Sequence, residues 1–252
     1  MYMRVWQARV NPERLSEIRQ VYEEKVIASL QNVNGCLFAS LMQSESRPDE
    51  CISMTLWAEQ THAEAYGKSR LFQSLVDEFR PFLADSAEWK IQLSNEMTVK
   101  YEPIPEEPTV KSFSVAAPSE EAIREKERPQ TMYVRIVSPK IRPGKMEEFK
   151  RIYAKEILPA LREVKGCRYA YLTESTKDKN EVVSITIWDS QLDAENYETG
   201  GLFDQLREKV KHTFSELYQW KMKLEKDTGK PVVTSDDMTV MHYHVVTGKS
   251  FR

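Results

Sequence analysis

One stretch of the sequence occurs twice. Residues 33–57 are VNGCLFASLMQSESRPDECISMTLW, and residues 164–188 are VKGCRYAYLTESTKDKNEVVSITIW. The same offset of 131 positions pairs residues 1–93 with 132–224 without a gap, and 27 of the 93 pairs are identical. An offset held over that length indicates a tandem duplication. The fold question therefore reduces to one unit that is present in two copies.

Composition limits the classes of partner. The net charge is −3 and the basic residues form no stripe, so we expect no nucleic-acid partner. No apolar stretch approaches the roughly 18 residues of a membrane-spanning helix, and the first residues lead straight into a strand pattern. We therefore expect a cytoplasmic protein with no membrane partner. The three cysteines lack zinc or redox spacing, which favours structural free thiols.

Each copy has the same order of elements. An extended run is followed by apolar residues at helical spacing, which begin after Asn11-Pro12 and stop at Asn34-Gly35. Two strands separated by polar residues then predict a hairpin. A second helical region is interrupted near Gly67 in the first copy and, more strongly, at Gly200-Gly201 in the second copy, which predicts a broken helix. In the second copy, Pro159 predicts that the first helix kinks or ends early.

The ends of the copies differ. A last strand is expected to begin at Trp89 and Trp220 and to end near Tyr101 and Val246, with an insertion around 226–236 forming a loop or bulge. Between the copies, residues 103–130 are rich in proline and charge. This composition predicts a linker, with a short helix at 119–128 as an option.

The order strand, helix, hairpin, helix, strand is the ferredoxin-like arrangement. One face of each third strand is aliphatic, as expected where two sheets pack face to face. The predicted fold is therefore α+β: two ferredoxin-like βαββαβ units whose antiparallel sheets pack as an internal pseudo-dimeric α+β barrel. The predicted domains are residues 1–102 and 131–252, joined by the linker 103–130. We expect a monomer with this internal pseudo-dimer, and further homodimerisation is the alternative.

The other face of the third strand is the candidate ligand site. Its residues alternate with the aliphatic set and are the same in both copies: Ser53, Thr55, Trp57, Ser184, Thr186 and Trp188. If this face lies beneath the helices, hydroxyl groups and an indole N–H would line a small cavity that orients a planar ligand. In the alternative interpretation, the hydroxyls bond to the backbone and the tryptophan fills space.

Charged residues add two further candidates. Arg4 and Arg135 occupy the same place in the first strand, where an arginine could bind a carboxylate or phenolate, or stabilise an anionic oxygen. An ion pair at a sheet edge is the alternative. His242 and His244 are two apart in the last strand, but the sequence offers no third ligand, so we predict an exposed strand end and no metal.

The motifs together resemble the antibiotic biosynthesis monooxygenase family of dimeric α+β barrels. The resemblance rests on Asn34-Gly-Cys-Leu-Phe38, Thr55-Leu-Trp57 and Leu71-Phe72, and on their equivalents Lys165-Gly-Cys-Arg-Tyr169, Thr186-Ile-Trp188 and Leu202-Phe203. It covers about residues 1–101 and 131–246. It implies that Trp57 and Trp188 correspond to the pocket tryptophan of polyketide-quinone-forming members.

Other family positions differ in this chain. The asparagine four residues before that tryptophan is Ser53 or Ser184 here, and the tyrosine six residues after it is Ala63 or Ala194. Tyr66 and Tyr197 follow three residues later and would substitute only if the helix were shifted. The iron-binding histidine of haem-degrading members corresponds to Val76 and Arg207, so haem binding or degradation is the least favoured alternative.

Two functional hypotheses follow, and whether the protein is an enzyme stays open between them. In the first, a cofactor-independent monooxygenase-like protein acts on a small aromatic or quinone-like molecule between helices and sheet. Tyr66 and Tyr197 would transfer protons or donate hydrogen bonds, and Arg4 and Arg135 would supply charge. In the second, the same fold is a non-catalytic module for small-molecule binding or assembly.

Overall fold

The protein is described as a computed structural model that covers residues 1–93, 99–105, 109–118, 132–176, 178–235 and 237–251. For residues 85–93, 99–105, 109 and 111–118 only the backbone is described. The chain divides into two compact units. The first unit comprises Arg4–Lys111 and Val246–Arg252, and the second unit comprises Met1–Met3 and Ser112–Val245.

The first unit follows the predicted order of elements. Its strands and helices are β1 (Tyr2–Arg9, of which residues 4–9 belong here), α1 (Leu15–Val21), a π-helical segment (Tyr22–Ile27), α2 (Ala28–Leu30), β2 (Cys36–Ser44), β3 (Glu50–Trp57), α3 (Gln60–Gly67), α4 (Arg70–Phe79), β4 (Asp85–Leu93) and β5 (Val99–Pro105). The antiparallel sheet has the order β1–β3–β2. The chain end lies beside β2, where Phe251 N donates to Leu37 O at 2.7 Å.

The second unit repeats the pattern with additions. Its elements are β6 (Thr109–Pro118, of which residues 112–118 belong here), β7 (Tyr133–Ser138), α5 (Met146–Ile152), a π-helical segment (Tyr153–Ile157), α6 (Leu158–Arg162), β8 (Cys167–Ser175), β9 (Val182–Trp188), α7 (Gln191–Thr199), α8 (Leu202–Val210), α9 (Glu216–Thr228) and β10 (Thr239–Ser250, of which residues 239–245 belong here). The sheet order is β10–β7–β9–β8–β6. Its first four strands have the order of the split βαβ motif.

The predicted α+β class and the two ferredoxin-like units are confirmed. The hairpins β2–β3 and β8–β9 pair in equivalent registers, with Thr55 opposite Ala39 and Thr186 opposite Ala170. Both broken helices are also present, as α3–α4 and α7–α8. The predicted face-to-face packing of the two sheets concerns the arrangement of the units and stays a prediction.

The first helix of each unit contains a π-helical segment. Pro159 lies directly after that segment as the second residue of α6, and the helix continues to Arg162. The predicted early end is therefore wrong. A π-helical segment already interrupts the regular hydrogen-bond ladder, so a proline placed after it removes less than it would in a continuous α-helix.

The last strand differs from its prediction in both units. Trp220 is helical, because Ser215 Oγ caps α9 by accepting from Tyr218 N at 3.2 Å and Gly229 ends it with φ of 66°. This helix extends into the expected loop at 226–236, and the strand starts only at Thr239. In the first unit, the strand region becomes two strands, because β4 pairs with β5 in a separate sheet.

The region predicted as a linker contains strand residues. β6 pairs antiparallel with β8, with Phe113 opposite Ser175. The helix considered at 119–128 lies outside the described residues. The predicted domain limits at residues 102 and 131 differ from the limits of the two compact units, and they stay a prediction.

Candidate functional site

Each unit contains a small cavity between its helices and the Ser-x-Thr face of its third strand. The first-unit pocket is lined by residues that include Arg4, Ser53, Thr55, Tyr66, Phe72 and Val76. The second-unit pocket is lined by the equivalent Arg135, Ser184, Thr186, Tyr197, Phe203 and Arg207. Each cavity measures about 50 Å³. That volume holds a few water molecules, and a cavity that holds benzene is about 150 Å³.

The two tryptophans lie behind these cavities and do not line them. Trp57 and Trp188 are fully buried, and their indole Nε1 atoms donate to Thr55 Oγ1 at 2.9 Å and Thr186 Oγ1 at 2.8 Å. Their rings lie against the rings of Tyr66 and Tyr197, with centroids 5.0 and 5.1 Å apart. The tryptophans thus support the tyrosines that face the cavity.

The serines of this face bond to the first helix. Ser53 Oγ is 2.9 Å from Tyr22 Oη, and Ser184 Oγ is 2.6 Å from Tyr153 Oη. These two tyrosines were not among the predicted site residues. The sequence feature that could have identified them is that both copies have a tyrosine at this position. It is the first residue of the π-helical segment in each unit.

Tyr66 and Tyr197 are buried at 7% and 6% exposure. Neither hydroxyl has a hydrogen-bond partner within the described part of the chain. Burial raises the pKa of both phenols well above the ordinary value, although the nearby arginine opposes the shift. Each tyrosine is therefore a neutral hydrogen-bond donor, and the phenolate needed for a general base is disfavoured.

In the first-unit pocket, the arginine turns toward a helix. Arg4 Nη1 donates to Ala63 O at 2.9 Å, and its Cζ lies 4.8 Å from the Phe72 ring centroid. The Arg4 side chain can adopt this orientation only because residue 67 is glycine: a Cβ at Gly67 would stand 1.7 Å from Arg4 Nη1.

In the second-unit pocket, the equivalent glycine is replaced by Glu198. Arg135 is 2% exposed, and its Nε donates to Glu198 Oε1. The same oxygen lies 3.1 Å from His242 Nε2. Burial alone would raise the pKa of Glu198, but hydrogen bonds from His242 and Arg135 lower it to about 2. The Glu198 carboxylate is therefore ionised and a weak base.

A second arginine distinguishes this pocket from the other. Arg207 stands where the first unit has Val76, and its Nη2 lies 3.0 Å from Asp204 Oδ1. The guanidinium carbons of Arg135 and Arg207 lie 4.3 and 5.8 Å from the centroid of the Phe203 ring. Among the described residues, Arg135 Nη2 and Arg207 Nε are buried and have no hydrogen-bond partner.

The histidine pair has a structural explanation. The rings of His242 and His244 lie 5.5 and 5.3 Å from that of Tyr133. His242 is half-buried and bonded to Glu198, so the predicted exposed strand end is wrong for this residue, whereas His244 is exposed. The residues that the structure covers contain no group of three or more candidate metal ligands.

The three cysteines are free thiols. Burial raises the pKa of Cys36, Cys51 and Cys167 to about 12. None of these thiols is therefore suited to nucleophilic chemistry at neutral pH.

The family is decided by a match in both copies. The model of the antibiotic biosynthesis monooxygenase family matches residues 1–78 and again 132–209. The chain belongs to this family. Both matched regions include the third strand, the broken helix and the arginine of the first strand. No curated protein matches the sequence.

Solved structures of similar fold share little sequence with this member of the family. A candidate monooxygenase from Fusobacterium nucleatum has a TM-score of 0.69 at 10% identity, over 99% of this chain and 94% of that one. One from Lactobacillus acidophilus has a TM-score of 0.68 at 8% identity, over 99% and 95%. An anthrone oxidase-like protein has a TM-score of 0.56 at 12% identity, over 99% and 93%. At these identities the likeness extends to the fold alone.

A helix that spans a bilayer needs about 20 predominantly apolar residues. Within the described ranges, no helix is both long enough and apolar enough to cross a membrane.

Proposed function

We propose that this protein is a cofactor-independent monooxygenase that oxidises a small phenol to a quinone in the second-unit pocket. One observation carries the proposal. The buried guanidinium of Arg135 and the free hydroxyl of Tyr197 line one otherwise largely apolar cavity. Such donors stabilise negative charge that develops on oxygen during a reaction, and they do so most strongly where water is excluded.

The proposed reaction needs no electron donor besides its substrate. The ionised phenol gives electrons to dioxygen, and a bond forms between a ring carbon and oxygen. Loss of the ring proton and cleavage of the oxygen–oxygen bond leave a carbonyl and release water. One oxygen atom thus enters the quinone and the other becomes water. Arg135 would stabilise the phenolate, and Tyr197 would donate a hydrogen bond to the oxygen that accepts charge.

Ring binding requires the second-unit pocket to widen. Phe203 is half-buried at the cavity and lies in the first turn of α8, directly after Gly200-Gly201. Gly201 has φ of 82°, a left-handed conformation that glycine adopts easily, and the chain is not helical at that point. We propose that Phe203 moves outward to admit one aromatic ring.

The alternative is a non-catalytic module that binds a small molecule. It is favoured by the first-unit pocket, whose ionisable lining residues, among those described, are Arg4 and the buried tyrosines Tyr22 and Tyr66. Haem is not part of either proposal, because Val76 and Arg207, at the expected ligand position, do not coordinate iron. The three free thiols support a reducing compartment such as the cytoplasm.

Incorporation of labelled oxygen into the product tests the proposal. The full chain is incubated with monocyclic phenols and with 1-naphthol under ¹⁸O₂, and the products are analysed by mass spectrometry. We expect a quinone with one labelled oxygen. Tyr197→Phe should lower the rate at least tenfold, since it removes the donor, while the matched Tyr66→Phe should leave the rate within about twofold.

Two outcomes would contradict this assignment. Product formation no faster than with heat-inactivated protein would reject the oxygenase. Binding of the same phenols without oxygen uptake would then support the module. Equal loss in Tyr66→Phe and Tyr197→Phe would show that the chemistry is not confined to the second unit.

A further inference from the structure

Two buried arginine nitrogens beside the second-unit pocket have no hydrogen-bond partner in the described structure. They are Arg135 Nη2 and Arg207 Nε, on different elements, and both residues line the same cavity. Leaving a buried donor unsatisfied costs about 1–3 kcal/mol, and more when the group is charged. A ligand oxygen that accepts from both groups would remove this cost.

The charges around the cavity favour an anionic oxygen. Glu198 and Asp204 each contact one nitrogen of one arginine, and neither carboxylate lines the cavity. The ionisable groups described along its lining are the two arginines and the phenols of Tyr153 and Tyr197. A ligand would therefore meet two cations and no anion.

We infer that the second-unit pocket selects aromatic ligands that carry an oxyanion, which Arg135 and Arg207 bind together beside the ring of Phe203. The inference rests on the proposed function, because it names the substrate class of that same site. In the first-unit pocket Val76 replaces the second arginine, so that pocket would not share the preference.

Selection of an anionic ligand would also explain how a phenol could react in a pocket whose own tyrosines are poor proton acceptors. Burial raises the pKa of Tyr153 to about 12 and that of Tyr197 still further, so neither phenol accepts a proton readily. The guanidinium groups of two arginines that line the cavity would lower the pKa of a bound phenol, because an opposite charge favours the ionised form. The substrate could then lose its proton to solvent before or during binding, and it would be held in the form that donates electrons.

4-Nitrophenol is a suitable probe because its absorbance reports its own ionisation, and 4-nitroanisole is a neutral analogue. Both are titrated with the full chain across a range of pH. We expect the pKa of bound 4-nitrophenol to fall by at least one unit, which equals at least tenfold tighter binding of the anion than of the neutral form. We expect 4-nitroanisole to bind at least tenfold more weakly than the phenolate.

The matched variants exchange the residues of the two pockets. Arg207→Val introduces the first-unit residue, and we expect it to abolish most of the pKa shift and to weaken phenolate binding about tenfold. Arg207→Lys should keep part of the shift, since it retains charge but lacks the guanidinium N–H groups. Val76→Arg places a second arginine in the first-unit pocket, and we expect it not to weaken phenolate binding. Circular dichroism and the thermal midpoint establish that each variant is folded.

The proposal fails if 4-nitrophenol binds without a pKa shift, if 4-nitroanisole binds equally well, or if folded Arg207→Val matches the original chain. Benzoate and benzamide form a second pair, and preference for benzoate extends the oxyanion class to carboxylates. None of these measurements uses oxygen. Anion binding without oxygen uptake would keep this inference and reject the oxygenase, whereas oxygen uptake with no preference for anions would do the reverse.

Discussion

Glu198 accepts a hydrogen bond from Arg135 Nε, and the first unit has no counterpart because the equivalent position is Gly67. The two equivalent arginines consequently differ in environment: Arg135 is held by a carboxylate, and Arg4 donates to the carbonyl of Ala63. One substitution between the copies thus changes how an otherwise identical arginine is oriented. Arg135 Nη2 is buried and has no hydrogen-bond partner among the described residues.

Glu198→Gln is expected to destabilise the protein by about 2 kcal/mol, because it leaves the buried charge of Arg135 without its counter-charge. The value is below the usual loss for a fully buried pair, since the Glu198 side chain is 24% exposed. Glu195→Gln, on the exposed side of the same helix, should change stability by less than about 0.5 kcal/mol. Urea unfolding measures both, and equal effects would show that the Arg135 contact adds nothing specific.

The same carboxylate predicts a pH dependence. The pKa of Glu198 is lowered from 4.5 to about 2 in the folded chain. The native state therefore binds this proton less readily than the unfolded state, so the contribution is present above the ordinary pKa and is lost as the pH falls from 4.5 toward 2. Thermal midpoints over this range should fall more steeply for the original chain than for Glu198→Gln. If the thermal midpoints of the two proteins fell in parallel with pH, the lowered pKa of Glu198 would be refuted.

The contact between Thr186 and Trp188 predicts a coupled loss. Thr186→Val leaves the buried indole N–H without an acceptor, which should cost about 1–3 kcal/mol. In a Trp188→Phe background the same change should cost much less, because no indole N–H remains. A double-mutant cycle by urea unfolding would then give a coupling of about 1 kcal/mol. A coupling near zero would mean that this hydrogen bond contributes little.

Most of the fold could be predicted because the repeat supplies each pattern twice. The hairpin that ends at Trp57 and the helix stop at Gly35 depend on local alternation and on a glycine, and their equivalents in the second copy agree. The end of each copy could not be predicted in this way. Trp89 and Trp220 are aligned and identical, yet Trp89 lies in β4 and Trp220 in α9. The N-cap of α9, Ser215, is aligned with Ala84, which cannot cap a helix in this way, and Gly229, which ends α9, lies beyond the aligned residues.

The sequence pointed to some of the residues that line the two cavities, but Trp57 and Trp188, which it also suggested, lie behind them. Alternation along the third strand placed Thr55 and Thr186 at the cavities, and equivalence of the copies selected Arg4 and Arg135. The contribution of Glu198 could not be predicted, because it depends on three elements meeting: β7, α7 and β10. Sequence spacing does not report such a contact between distant residues.

Two glycines with similar backbone angles predict different costs of substitution. Gly144 and Gly166 have φ of 80° and 81°, but a Cβ would meet nothing within 4 Å at Gly144 and Asp193 Cγ at 2.4 Å at Gly166. Gly144→Ala should therefore show only backbone strain, about 1 kcal/mol. Gly166→Ala should cost about 2–3 kcal/mol, since Asp193 must also move. Equal losses in urea unfolding would exclude the contact with Asp193.

Helix α9 can be tested against the strand that the repeat predicts. Lys223 is exposed in the interior of this helix, where proline removes a backbone donor and clashes with the preceding turn. Lys223→Pro should therefore cost about 3 kcal/mol and lower the helical signal in circular dichroism. Val233→Pro, at an 88% exposed position in the loop before β10, is the control and should cost less than about 1 kcal/mol. If Lys223→Pro were as stable as Val233→Pro, residues 216–228 would not form a helix in solution. The strand that the sequence predicts from Trp220 onward would then be the better description.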